Sequence, residues 1–177
     1  MRIEIRICGL GGQGIILAGE ILGLAAVLDG KYAVQMRSYG SEARGSTCKS
    51  DVIISDKIIR YPIIENCDIL VSMSQPSLNK YIDSLKPSGI LIIDEDLVKN
   101  IPRKRIKKIY GLKATRIAEE KYRRIMANMI MLGYMMGKTG IVSIEKLREA
   151  IKRRRVKMAE INIKALEEGV KLSKMKV

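Results

Sequence analysis

Gly9-Leu10-Gly11-Gly12-Gln13-Gly14 lies between an alternating stretch and a long apolar one, a spacing that suits phosphate binding. Glycines let the chain turn tightly and let an anion approach a helix N-terminus, where free N–H groups and the helix dipole attract it. The same glycines also serve tight strand-to-helix packing with no ligand, so both readings stand. A dinucleotide would further need an acidic residue at the end of the second strand. Asp29 falls instead before Gly30, at the end of the helix, and the second strand ends at Arg37-Ser38. These positions argue against an NAD-dependent dehydrogenase.

The loop Ser38-Tyr39-Gly40-Ser41-Glu42-Ala43-Arg44-Gly45 is the second place where chemistry could sit. In an open parallel sheet the loops after the first and second strands share the carboxyl edge. Gln13, Tyr39, Glu42 and Arg44 are therefore expected on one surface. Arg44 suits a phosphate or carboxylate, with Glu42 as its ion-pair partner. An exposed loop with an incidental pair is the simpler alternative. Histidine is absent, and Cys8, Cys48 and Cys67 form no Cys-x-x-Cys pair. This excludes the usual zinc patterns, a histidine base and an iron–sulfur cluster held by this chain alone. Three buried, reduced cysteines are expected.

The elements that would position these loops follow from periodicity. Strands are expected over residues 2–8, 32–37, 47–55, 69–72, 90–94 and 106–110, with a turn at 56–57 leading into 58–59 and another at 86–89. Residues 15–28 are apolar on every face, the mark of a buried helix that Gly30 ends. Gln75-Pro76 opens a helix to about residue 85. From Thr115 the pattern turns helical: 125–136 is strongly apolar with Gly133 and Gly137 four apart, and Ser143 caps a helix to about 152. Val156, Ala159, Ile163, Leu166 and Val170 mark one seam on a final helix. The expected fold is a single domain over residues 1–177: α/β, with a mostly parallel Rossmann-like sheet flanked by helices and the C-terminal helices packed on it.

Lysine and arginine exceed acidic residues by 14, concentrated at residues 103–108 and 152–157. Such an excess attracts anionic partners, or else forms the solvated faces of a thermophile-like protein. The seven aromatics are all tyrosine, and none interleaves the basic runs, which disfavours a nucleic-acid stacking surface. No apolar run reaches the roughly 18 residues of a membrane span. MRIEIRICGL runs directly into a strand pattern without the regions of a signal peptide, so a cytoplasmic chain is expected.

Taken together, the two loops resemble the gamma subunit of 2-oxoacid:ferredoxin oxidoreductases. The likeness rests on Gly9-x-Gly-Gly-Gln-Gly14 with Ala18 and Leu22, and on Ser38-Tyr-Gly-x-Glu-x-Arg-Gly45. It continues through residues 51–55, 68–73, 79–81, 85–89, 127–133 and 162–169, nearly the whole chain. The Ser-Tyr-Gly form looks like the 2-oxoglutarate subfamily, whereas pyruvate-type gamma subunits tend toward a Phe-Gly loop; Ser46 stands where many members have a second glycine. The resemblance implies a complex of anaerobic metabolism in a thermophilic archaeon or bacterium. There, alpha, beta and ferredoxin-like delta subunits accompany this chain in a heterotetramer. Thiamine diphosphate with magnesium, [4Fe–4S] clusters and coenzyme A do the chemistry, and ferredoxin accepts the electrons. This chain would bind no cofactor of its own and be inactive alone. Gly9, Gly11, Gly12, Gln13, Gly14, Tyr39, Gly40, Glu42, Arg44 and Gly45 would wall the active site, touching coenzyme A, substrate or a partner subunit. Pyruvate, branched-chain or indolepyruvate substrates, a basic nucleotide- or nucleic-acid-binding module, and a homodimer of the isolated chain are the alternatives carried forward.

Overall fold

In the computed structural model, which describes residues 1–40, 45–155 and 157–175, the opening stretch Arg2–Leu10 forms the central strand β1. It is flanked by apolar side chains on both faces: Ile5 and Ile7 enter one core, and Cys8 enters the other. The apolar helix α1 (Ile15–Leu28) follows, then β2 (Tyr32–Ser38) and β3 (Thr47–Ser55). Next come β4 (Cys67–Ser72), α2 (Gln75–Tyr81), β5 (Leu85–Asp94) and β6 (Lys108–Leu112). The chain closes with α3 (Ala114–Lys121), α4 (Ala127–Thr139), α5 (Ile144–Arg153) and α6 (Ala159–Ser173).

The described strands form one sheet in the order β2-β3-β1-β4-β5-β6. β1, β4, β5 and β6 are parallel neighbours, and β3 runs antiparallel to both β1 and β2. This is the α/β, mostly parallel sheet expected, with one hairpin inserted. Because β1 and β2 each oppose β3, they run in the same direction. Leu10 pairs with Thr47 and Ser38 with Lys49, which brings the ends of β1 and β2 to one edge. The predicted shared edge is present, though a hairpin creates it.

The C-terminal helices cover the face that α1 occupies. α4 and α6 approach closely because their contact is built from small residues. A Cβ on Gly133 would overlap the carbonyl oxygen of Leu166, and one on Gly169 would overlap that of Ile130. The seam of α6 is therefore Asn162, Ala165, Leu166, Gly169 and Ser173. Of the expected seam, Leu166 is fully buried, Ala159, Ile163 and Val170 are half-buried, and Val156 lies outside the described residues. Apolar spacing pointed about one residue away because glycine and asparagine do not register as apolar.

Three further boundaries differ from expectation. Residues 86–89 continue β5, entering through a register shift opposite Cys67 and Ile69, where Pro87 and Gly89 suggested a turn. The helix after Ser74 ends at Tyr81 and tightens into a 3-10 turn over Ile82–Ser84. Ser143 occupies the cap position of α5, but its hydroxyl donates to Asp29 Oδ1 (3.2 Å) rather than capping. No described helix is long and apolar enough to cross a membrane.

Candidate functional site

β1 and β4 are adjacent and parallel, yet the helices that follow them leave toward opposite faces. α1 joins the core with α4 and α6, while α2 joins the core behind Cys8, Ile53 and Leu70. Such a divergence opens a crevice at the carboxyl ends of the two strands, the usual ligand position in open α/β sheets. Here the crevice is a cavity of about 270 Å³ lined by Gly12, Gln13, Met73, Thr115, Arg124, Ile125 and Ala127.

Gln13 holds its two sides together. Its Oε1 accepts from the Leu10 N–H (2.7 Å), and its Nε2 donates to the Met73 carbonyl (2.8 Å). Gly9 belongs to β1 and packs beneath this amide, and its carbonyl accepts from Ser77 Oγ (2.7 Å). Gly14 takes the left-handed conformation (φ 75°) that starts α1, and Asn128 Nδ2 donates to its carbonyl (3.1 Å). A Cβ there would be strained by the backbone and would strike the Asn128 amide. The glycines thus fit α1 closely against both α4 and the loop after β4.

The second loop reaches the first through the Gly11 N–H, which donates to the Ser46 carbonyl (2.9 Å). Tyr39 stands exposed at the end of β2, and Gly40 packs against Ser46. Gly45 has φ 79°. Glu42 and Arg44 lie outside the described residues, as does their expected ion pair. Gln13 turns toward Met73 rather than toward Tyr39.

Sequence reasoning missed the other wall. Thr115 lies in the first turn of α3, held by buried Asp94 at the end of β5, whose Oδ2 accepts from Thr115 Oγ1 (2.6 Å) and N–H (3.1 Å). Burial pushes the Asp94 carboxyl above the usual carboxylate range. Beside the crevice, and sharing Ile125 with it, runs a groove of about 410 Å³ lined by Gly14, Leu17, Asn128, Arg154, Arg155 and Lys157, among others. Arg154 pairs with Glu20 (3.0 Å), and Arg124 pairs with Glu119 (3.1 Å). Arg155 and Lys157 have no ion-pair partner among the described residues. Arg155 has φ 50° and Met158 φ 56°, conformations that cost a side-chain-bearing residue about 1 kcal/mol or more each. The basic run seen in the sequence thus lies beside the glycine loop. Only the packing of α5 and α6 reveals this.

All the cysteines are buried and free. Burial pushes the Cys8 thiol up to about 12 and the Cys67 thiol up to about 11, and raises that of Cys48. No metal-binding group of acidic, cysteine or histidine side chains occurs among the described residues. Native protein should resist iodoacetamide at mildly alkaline pH, whereas denatured chain should label at every cysteine. Mass spectrometry checks this, and rapid native labelling would show an open thiol.

The model of the pyruvate ferredoxin/flavodoxin oxidoreductase family matches residues 4–172. The chain is 50% identical over 159 residues to the 2-oxoglutarate synthase subunit KorC of Methanothermobacter marburgensis, covering 86% of each protein. It is 37% identical over 176 residues to the common gamma subunit of the pyruvate/ketoisovalerate oxidoreductases of Thermococcus kodakarensis, covering 94% of this chain and 95% of that one. The crystal structure of the keto/oxoacid ferredoxin oxidoreductase gamma subunit from Geobacter sulfurreducens superposes with a TM-score of 0.84 at 40% identity, covering 97% and 98% of the two chains. A match this complete, over the same fold and both glycine loops, makes the chain a member of the pyruvate ferredoxin/flavodoxin oxidoreductase family.

Proposed function

We propose that this chain is the gamma subunit of a 2-oxoglutarate:ferredoxin oxidoreductase. That complex converts 2-oxoglutarate and coenzyme A to succinyl-CoA and carbon dioxide, passing two electrons singly to ferredoxin. The half-identical match to a 2-oxoglutarate synthase chain carries this reading. Thiamine diphosphate and the clusters belong to companion subunits, and this chain contributes a wall and positive charge. The crevice at Gly12 and Gln13 is open to an anionic ligand, and the neighbouring groove holds Arg155 and Lys157 without ion-pair partners among the described residues. Both cations suit the phosphates of coenzyme A, whose charge they would meet at the N-terminal end of α1. Tyr39 and the Glu42–Arg44 loop would complete the wall.

Anaerobic co-purification with the companion chains, followed by a 2-oxoacid panel with coenzyme A and a viologen dye, tests the assignment. 2-Oxoglutarate should be the best substrate. Preference for pyruvate or a branched-chain 2-oxoacid would move the chain to the subtype that its likeness to the Thermococcus subunit also supports. In the assembled complex, Arg155→Ala with Lys157→Ala should raise the apparent KM for coenzyme A about tenfold or more, tenfold being about 1.4 kcal/mol. Arg44→Ala should raise KM for coenzyme A or 2-oxoglutarate. Kinetics unchanged in both variants would remove the loops from the ligand site.

A further inference from the structure

We infer that the open edge and outer face of β2, together with residues 57–63, form the docking surface for an acidic companion subunit that extends the sheet. The inference rests on the subunit reading above. Tyr32, Val34 and Met36 stand opposite Ser55, Ile53 and Asp51 on β3, which oppose Arg2, Glu4 and Arg6 on β1. Alternation therefore places these side chains on one face of the sheet. Residues 57–66 form neither strand nor helix and cover only the β1 part of that face. Arg2 donates to the Tyr61 carbonyl (3.0 Å), Arg6 donates to the Ile64 carbonyl (3.0 Å), and Ile64 is buried. The β2 part stays open. Tyr32 is 50% exposed, Met36 46%, Ile58 68%, Tyr61 54% and Ile63 49%. Met36 and Ile63 line one hollow of about 240 Å³. Scattered exposed apolar residues need no explanation, but a contiguous patch with a polar rim marks an interaction site.

The edge itself is unguarded. β2 pairs with β3 in unbroken register over seven residues and, among the described strands, has no neighbour on its other side. Natural edge strands are usually blunted by proline, a bulge or charge. β2 has neither proline nor a bulge, and its one ionic residue is Arg37, near the end. The opposite edge, β6, is shorter and begins with a lysine. A regular open strand beside apolar side chains is the geometry for strand addition.

Charge selects the occupant. Lys57 and Arg60 are exposed within residues 57–63 and make no ion pair among the described residues, whereas Arg37 turns to the other face and pairs with Glu20 (3.2 Å). Asp56 is held by the terminal ammonium (2.6 Å), Asp51 by Arg6 and Lys49, and Glu4 by Arg2 and Lys86; Glu65 remains exposed at the far end. A second copy would bring the same cations and another +14 charges against this rim. An acidic chain would neutralise it.

The test uses the full chain co-expressed with its companion subunits under anaerobic conditions. Amide exchange of β2 and residues 57–63 should slow at least tenfold on assembly. Met36→Asp with Ile63→Asp should cut retention on tagged companions at least tenfold, while Ile109→Asp on the opposite edge leaves it unchanged. Raised salt should slow assembly of the wild type, and Lys57→Glu with Arg60→Glu should abolish that dependence. Full retention of the Met36/Ile63 variant with unprotected β2 amides would overturn the surface. A wild-type dimer lost in the same variant would give the face to a second copy and overturn the acidic partner. Wild-type chain that ignores its companions would instead overturn the subunit reading, and with it this inference.

Discussion

Asp51→Ala should cost about 3–5 kcal/mol of folding stability, a large part of the roughly 5–15 kcal/mol typical of a domain. The Arg6 and Asp51 side chains are each 5% exposed, and they meet as a fork, Nε to Oδ1 at 2.7 Å and Nη2 to Oδ2 at 2.8 Å. Lys49 Nζ donates to the same carboxylate at 2.7 Å, and the Arg6 guanidinium lies 5.5 Å from the Tyr81 ring centroid. Removing the carboxylate leaves a buried guanidinium facing a second cation, with the neutral Ile64 carbonyl as its remaining acceptor among the described residues. Desolvation of that charge is what makes the loss large. Replacing both partners with apolar residues, Arg6→Met with Asp51→Leu, should recover most of it, because neither group then pays for burial. Urea unfolding measures both. A single-variant loss below about 1 kcal/mol would show that water reaches the pair.

Gly169→Val should be at least as damaging, at about 3 kcal/mol or more, and Gly133→Val comparable. At Gly169 the added Cβ meets the Ile130 carbonyl oxygen and lies 2.8 Å from the Tyr134 nitrogen. Both are backbone atoms of α4, so no rotamer change relieves the clash, and the helices must separate. Leu166, Ala165 and Met129 would then lose close packing in a core where they are fully buried. Gly23 in α1 is the control. Nothing lies within 4 Å of a Cβ there, so Gly23→Ala should stabilise by about 0.5–1 kcal/mol through helix propensity. Thermal unfolding of the variants against wild type gives the order. A tolerated Gly169→Val would mean that α4 and α6 are not in close contact.

The element order and the buried helix α1 were legible because periodicity reports one-dimensional facts. Residues 2–8 alternate before turning apolar, as a strand entering a sheet does, and 15–28 are apolar all round, as a buried helix is. The glycine loops were legible for a similar reason: turn chemistry is local. Boundaries failed where tertiary context overrode local preference, as at residues 86–89, which run on within β5 as an irregularity where its pairing with β4 shifts register.

By itself, the sequence determined the family, the α/β class, the presence of two glycine loops and the burial of its cysteines. Tertiary structure alone decided which loops meet. The β2–β3 hairpin brings Ser46 to Gly11, and β4 beside β1 brings Met73 to Gln13. The packing of α5 and α6 sets Arg155 and Lys157 beside Gly14. Strand order joins residues tens of positions apart, and helix packing joins residues more than a hundred apart. Such contacts leave no period or spacing in the chain, because long-range pairing is selected by total burial rather than by neighbours in sequence.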